Sequence, residues 1–442
     1  MKIRVIGGGL AGPEAALVAA RMGMDVDLCE MRPVQMTPAH QTADFGELVC
    51  SNSLKSESEN TAPWLLKQEM RRAGSPLLAC ADASAVPAGH ALAVDRVEFS
   101  RRIGEKIAAE PRITVHREEV TRLDPEDGIT IVASGPLTSS ALSQEVARLT
   151  GSEHLAFYDS ISPIVEADSI DREKVYLAAR YDKGTADYIN CPMNQAEYDG
   201  FHEALLTAES VEAKEWEKLE YFEGCLPIEE LARRGKDTLR FGPMKPVGLR
   251  DPRTGRMPWA VVQLRVENLR ADSYNLVGFQ NHMKFGEQAR ILRMIPGLEN
   301  AKFVRYGQIH RNTYINAPRV LSPTLNLRAH PGVYFAGQIS GVEGYTESIA
   351  TGMLAGMYAA AAVCGEAANP VPRGTALGSL VRYITEADAK RFQPANITFD
   401  LLEPLEEETR RRVRDKRERH RMQCERALLA FDGWLAAAVN QG

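Results

Sequence analysis

Residues 2–30, KIRVIGGGLAGPEAALVAARMGMDVDLCE, decide the fold. KIRVI is short and rich in β-branched residues, as a buried strand is. Gly7, Gly9 and Gly12 then form G-x-G-x-x-G, enclosing Gly8, Leu10 and Ala11. PEAALVAARMG predicts a helix closed by Gly23, and DVDLCE a second strand ending in Glu30. Together they make a βαβ unit. Its glycines let the backbone approach a pyrophosphate, and the helix N-terminus supplies N–H groups and a partial positive charge. Glu30 stands where an acid accepts hydrogen bonds from an adenosine ribose. Dinucleotide binding follows, with FAD and NAD both open at this point.

The far end of the chain favours FAD. Residues 332–363, GVYFAGQISGVEGYTESIATGMLAGMYAAAAV, read as a strand, a turn through Gly337, Gly341 and Gly344, and a small-residue helix. The N-terminus of that helix can face a second part of the cofactor; the plainer reading of its glycines and alanines is close helix packing. Gln338 stands where flavoproteins of the glutathione-reductase type usually carry Asp. GITIVASGP, residues 128–136, looks like the strand and turn by which such chains return to the nucleotide sheet. The expected fold class is α/β: a Rossmann-like FAD-binding domain of the glutathione-reductase type with an inserted α+β domain. The expected segments are 1–150 and 300–365 for the FAD-binding domain, 151–299 for the insert, and 366–442 for a C-terminal helical segment.

Bulk properties limit the alternatives. The cysteines at 29, 50, 80, 191, 225, 364 and 424 are odd in number and form no C-x-x-C pair, which fits free thiols and no metal site. MKIRVIGGGL reaches a glycine cluster too soon for a signal peptide or membrane anchor, so a cytoplasmic protein is expected. A net charge of -6 means that a nucleic-acid partner would need a local basic patch.

Several long motifs converge on one family. RPVQMTPAHQT, LVCSNSLKSE, YFEGCLPIEELARRG, FGPMKPVGL, LVGFQNHMKFGEQARI and IHRNTYINAP closely resemble the folate- and FAD-dependent tRNA (uracil-5-)-methyltransferases, from residue 1 to about 390. A sister family, which installs the carboxymethylaminomethyl group on wobble uridines, shares the nucleotide motifs. It is longer, and has Cys-Asn-Pro where this chain reads Cys50-Ser51-Asn52-Ser53. A flavin reductase or oxidase without RNA is the third reading, and it would predict a C-x-x-C pair.

The resemblance implies methylation of the T-loop uridine (uridine 54) of tRNA, with 5,10-methylenetetrahydrofolate as carbon donor and FAD reduced by NAD(P)H. No obligate protein partner is evident. Uracil C5 becomes nucleophilic when a thiolate adds to C6, so a cysteine is expected, and a second group must remove the C5 proton. The resemblance assigns Cys225 to C6 attack and Cys50 to acid/base work, or shielding of the methylene adduct, beside the flavin, with the two roles exchangeable. Lys55, Arg233, Arg234 and Lys245 are the cations first considered for lowering a thiol pKa. For the folate that the resemblance implies, His282 could stack on the pterin, Lys284 or Arg265 could meet its glutamate tail, and Glu343 and Glu347, in the turn that should face the isoalloxazine, could hydrogen-bond the pterin; each also has an ordinary structural reading. Cys29 and Cys364 read as structural. The run TRRRVRDKRERHRMQCER, 409–426, suits either phosphate tracking or i,i+4 ion pairs on a solvated helix.

Overall fold

The computed structural model describes residues 2–151, 155–211 and 226–439; Cys225 lies outside them. The opening stretch forms strand β1 (Lys2–Ile6), helix α1 (Ala11–Arg21) and strand β2 (Asp25–Glu30), with Gly23 at a φ of +88° beyond the helix end. Ile3, Val5, Val26 and Leu28 are fully buried, which explains why these apolar runs sit at the centre of a sheet. That sheet is five-stranded and wholly parallel, in the order Val333–Phe335, Ile129–Val132, β1, β2, Ile113–Arg117. GITIVASGP therefore does return beside β1, and the late strand closes the edge next to it.

The late helix, Tyr345–Val363, lies against α1. A methyl group at Gly352 would stand 2.3 Å from the Ala11 carbonyl oxygen, and one at Gly356 2.6 Å from that of Ala15. Its small residues thus permit a backbone-to-backbone approach that no larger side chain allows. The same packing brings the N-termini of both helices to the C-terminal edge of the parallel sheet, where ligands of open α/β sheets bind.

The chain leaves this unit and returns by two antiparallel strands, Leu155–Ser160 and Ile309–Tyr314. Between them it builds a six-stranded antiparallel sheet in the order Tyr176–Leu177, Ile189–Met193, Ala260–Val266, Ser273–Leu276, Ile164–Glu166, Phe303–Arg305. The last strand carries the excursion past residue 299. This sheet has its own apolar core, around Cys191, Phe201, Leu264 and Phe279, to which Val86 and Ala93 of the first unit also contribute.

The C-terminal helix, Lys416–Val439, packs on helix α2 (Ala62–Arg72), burying Cys424, Ala427, Phe431 and Trp434. The basic run 409–426 is split between a short helix, Glu407–Arg412, and the start of this one, and it resolves two ways. Arg421 pairs with Glu418 and Glu425, and Arg411 with Glu407, as i,i+3 and i,i+4 neighbours do on a solvated helix. Arg410, Lys416 and Arg419 instead line a shallow depression with Phe399 and His420, whose rings stack at 3.7 Å.

Candidate active site

A cleft of about 750 Å³ opens where the two helix N-termini meet. Its walls come from Gly7–Ala11 after β1, Glu30–Arg32 after β2, Ala133–Leu137 after the return strand, and Gly337, Gln338, Tyr345 and Ser348 from the late turn and helix. Thr37, His40, Glu47 and Val49 close it from the loop that follows β2.

The glycines act in different ways. A Cβ at Gly12 would stand 1.8 Å from the Gly7 carbonyl oxygen, so Gly12 serves the tight turn itself. Gly7 needs its φ of +114°, and a Cβ there would meet Ala133. Gly9 faces open space, with nothing within 4 Å of its Cβ position. Neither α1 nor the late helix has a side-chain cap, so their first N–H groups are left to a ligand's anionic or carbonyl oxygens. This donor set fits the pyrophosphate and ring system of FAD, contributed from both ends of the chain.

Glu30 fixes the acid end of the cleft. Its carboxylate accepts from Gly8 N–H at 2.5 Å and from Arg32 N–H and Nε at 2.9 and 2.8 Å. Burial would raise its pKa, but the Arg32 charge and these hydrogen bonds outweigh that and hold it below the usual range. Glu30 therefore ties the glycine loop to β2 as an anion, still within reach of the cleft. His40, beside it, is pushed down to about 4 by burial and by Arg32, so it stays neutral at physiological pH.

Gln338 lines the cleft and donates from Nε2 to Glu343 Oε2 at 2.6 Å. Glu343 and Glu347 do not line it. Glu347 is fully buried, receiving Lys55 Nζ at 2.7 Å and Ile397 N–H at 3.1 Å. Gly341 packs against the Phe392 ring. Side chains on this turn alternate between ligand space and interior, and the sequence does not disclose which way each one faces; Tyr345 and Ser348 are the pair turned to the cleft.

Cys50 is part-buried and follows the cleft residue Val49, though it does not itself line the cleft. Its N–H and that of Ser51 both donate to Tyr345 Oη, at 2.8 and 3.1 Å. The loop is gripped by three guanidinium groups. Arg96 donates to Leu48 O, Arg305 to Val49 O at 2.9 Å, and Arg265 to Asn52 Oδ1 at 2.9 Å and Ser51 Oγ at 3.1 Å. Glu267 pairs with Arg96 at 2.6 Å. Two of the four cations expected to lower a thiol pKa are committed elsewhere: Lys55 to Glu347 and Asn396, Arg233 to Glu230. Arg96, Arg305, Glu267 and Tyr345 were not singled out from the sequence, because they reach Cys50 from far along the chain.

Of the residues expected at a folate site, Arg265 bonds the Cys50 loop, while His282 and Lys284 are not among those lining the cleft. His282 is 4% exposed, with Nδ1 2.9 Å from Glu229 Oε1 and its N–H on the same oxygen. A buried histidine beside a fully buried acid is held by that pair rather than presented for stacking. Lys284 is exposed and bridges to Glu209 at 2.7 Å. Cys225 lies outside the described residues. The chain just beyond it is anchored near His282, where Ile228 N–H donates to Gln280 O at 2.7 Å. Cys29 is buried, as expected of a structural residue; Cys364 is exposed at the end of the late helix, since that end projects past the core.

Comparison with known proteins settles the family. The family described as glucose inhibited division protein A matches residues 2–367. A protein of Koribacter versatilis named methylenetetrahydrofolate--tRNA-(uracil-5-)-methyltransferase TrmFO is 70% identical over 438 residues, 99% of each chain. The chain belongs to this methyltransferase family. A member of the same name from Solibacter usitatus is 63% identical, again over 99% of each chain. Among solved structures, Aquifex aeolicus GidA in its form II crystal matches with a TM-score of 0.73 at 17% identity, covering 99% of this chain and 73% of that one. That likeness speaks for the fold alone. It agrees with the Rossmann-like, FAD-binding architecture expected from residues 2–30 and 332–363.

Proposed function

We propose that this chain transfers one carbon from 5,10-methylenetetrahydrofolate to C5 of a uridine in tRNA, the T-loop uridine, giving 5-methyluridine. The observation that carries the reading is the 70% identity over 99% of the chain to a methyltransferase of that name. Relatives at 53–70% identity bear the same name throughout, so the wobble-uridine alternative is not favoured.

FAD bound in the cleft supplies electron transfer from NAD(P)H to the carbon unit. The chain's own residues do the rest. Gly7–Ala11 and the N-terminus of α1 hold the pyrophosphate, Glu30 the ribose, and Gln338, Tyr345 and Ser348 the ring end. Cys225 attacks uracil C6, making C5 nucleophilic, and Cys50 takes the C5 proton beside the cleft. Among the described residues no helix is long and apolar enough to cross a membrane, in keeping with work on tRNA in the cytoplasm.

The test is nucleoside mass spectrometry of tRNA incubated with the protein, FAD, NAD(P)H and a donor carrying a 13C methylene. The account predicts 5-methyluridine one mass unit heavy. Unlabelled product, or label at a wobble uridine, contradicts it.

A further inference from the structure

The loop bearing Cys50 concentrates positive charge. Arg96, Arg265 and Arg305 come from three separate elements, the helix Arg96–Ala109 and the strands Ala260–Val266 and Phe303–Arg305, and all close on residues 48–52. Glu267 is the one carboxylate bonded into this cluster among the described residues, and it is spent on Arg96. Arg265 donates to neutral oxygens of Asn52 and Ser51. Arg305 likewise has carbonyl partners, Val49 O at 2.9 Å and Cys50 O at 3.5 Å, while its buried Nε has none. Three cations and one anion leave two positive charges in a part-buried setting, where they are poorly screened.

Two neighbouring groups can supply a negative charge, the Cys50 thiol and the Tyr345 phenol. Burial drives the Tyr345 pKa upward, and the two N–H groups its oxygen accepts offset only part of that rise. A thiol ionises near 8.5 in the open and lower beside arginine, so it yields its proton first. We propose that Arg305, backed by Arg96, is a positioning residue that keeps Cys50 as a thiolate at neutral pH, its proton having gone to solvent. Burial and the repulsion of Arg96 draw Arg305 down to about 10, and the attractions of Glu267 and then of Cys50 work against that fall. A resting thiolate suits the role given to Cys50 above, because only the deprotonated sulfur can accept the C5 proton. The inference rests on that reading for its purpose, but it can be measured without tRNA or folate.

The experiment is the pH profile of Cys50 alkylation by iodoacetamide in the FAD-loaded protein, read as modification of the Cys50 peptide by mass spectrometry. For the wild type the midpoint is expected below pH 7, about 1.5 units or more below that of a free thiol. Arg305→Gln is expected to raise it by a unit or more, a tenfold fall in the acid dissociation constant, and Arg305→Lys to restore most of the shift. A wild-type midpoint at or above pH 7 overturns the proposal with no variant needed, as does a midpoint unmoved in a folded Arg305→Gln protein. Either failure leaves the methylation reading intact, and failure of methylation leaves the alkylation profile unaffected.

Discussion

A methyl group costs different things at two glycines three residues apart. At Gly12 it meets the Gly7 carbonyl, so the turn must deform; at Gly9 it meets nothing and projects into the space where a ligand's backbone contacts belong. Gly12→Ala should therefore lower both the Tm of the flavin-free protein and flavin retention, while Gly9→Ala should leave that Tm unchanged and weaken FAD alone. Thermal melts and the flavin content after gel filtration separate the two effects. Cys225→Ala should give a folded, yellow protein without methylation; wild-type-like product would remove Cys225 from the mechanism. The glycines and Glu30 were legible in the sequence because the βαβ unit is local, and its spacing alone puts them together. Arg305 and Tyr345 were not, since they meet Val49 and Cys50 across 256 and 295 residues, a juxtaposition only the folded chain creates.

Helices in this protein are stitched to one another by buried acids. Glu14 of α1 accepts from Leu77 N–H, and Glu69 of α2 from Ala376 and Leu377 N–H at 2.7 and 2.8 Å, at the start of the helix Ala376–Glu386. Burial pushes Glu69 up to about 8 against an ordinary 4.5, with the two N–H bonds and Arg72 offsetting only part of it. The folded chain thus binds a proton there that the unfolded chain has released. The stability Glu69 contributes is full below about 4.5, falls as pH rises toward 8, and is level beyond. Glu69→Gln should flatten that part of the Tm-against-pH curve. An unchanged difference between the two curves from pH 5 to 8 would show that Glu69 is ionised in the fold. The helix periods themselves were readable, including the basic C-terminal run. What the periods could not reveal is that the late helix's glycines serve α1, because packing partners are a property of the tertiary arrangement.

At the scale of the molecule, one side chain joins the nucleotide unit to the second sheet. Asn52 is fully buried, donates to Val94 O at 3.1 Å and Val266 O at 3.0 Å, and accepts from Arg265. Asn52→Ala strands those groups, and a loss of about 1–3 kcal/mol is expected by denaturant unfolding; a loss within error would mean that the staple carries no load. The inserted domain was visible in the sequence as a break in the βαβ rhythm. Its return point was not, because Phe303–Arg305 is a short edge strand whose membership depends on pairing with Ile164–Glu166. Everything proposed for the cleft presumes that both ends of the chain hold one flavin between them. The direct test is FAD titration of the purified protein followed by gel filtration and absorbance near 450 nm. The account predicts one FAD per chain, held at least tenfold more weakly by Glu30→Ala; a wild-type protein that stays colourless after FAD is added would contradict it.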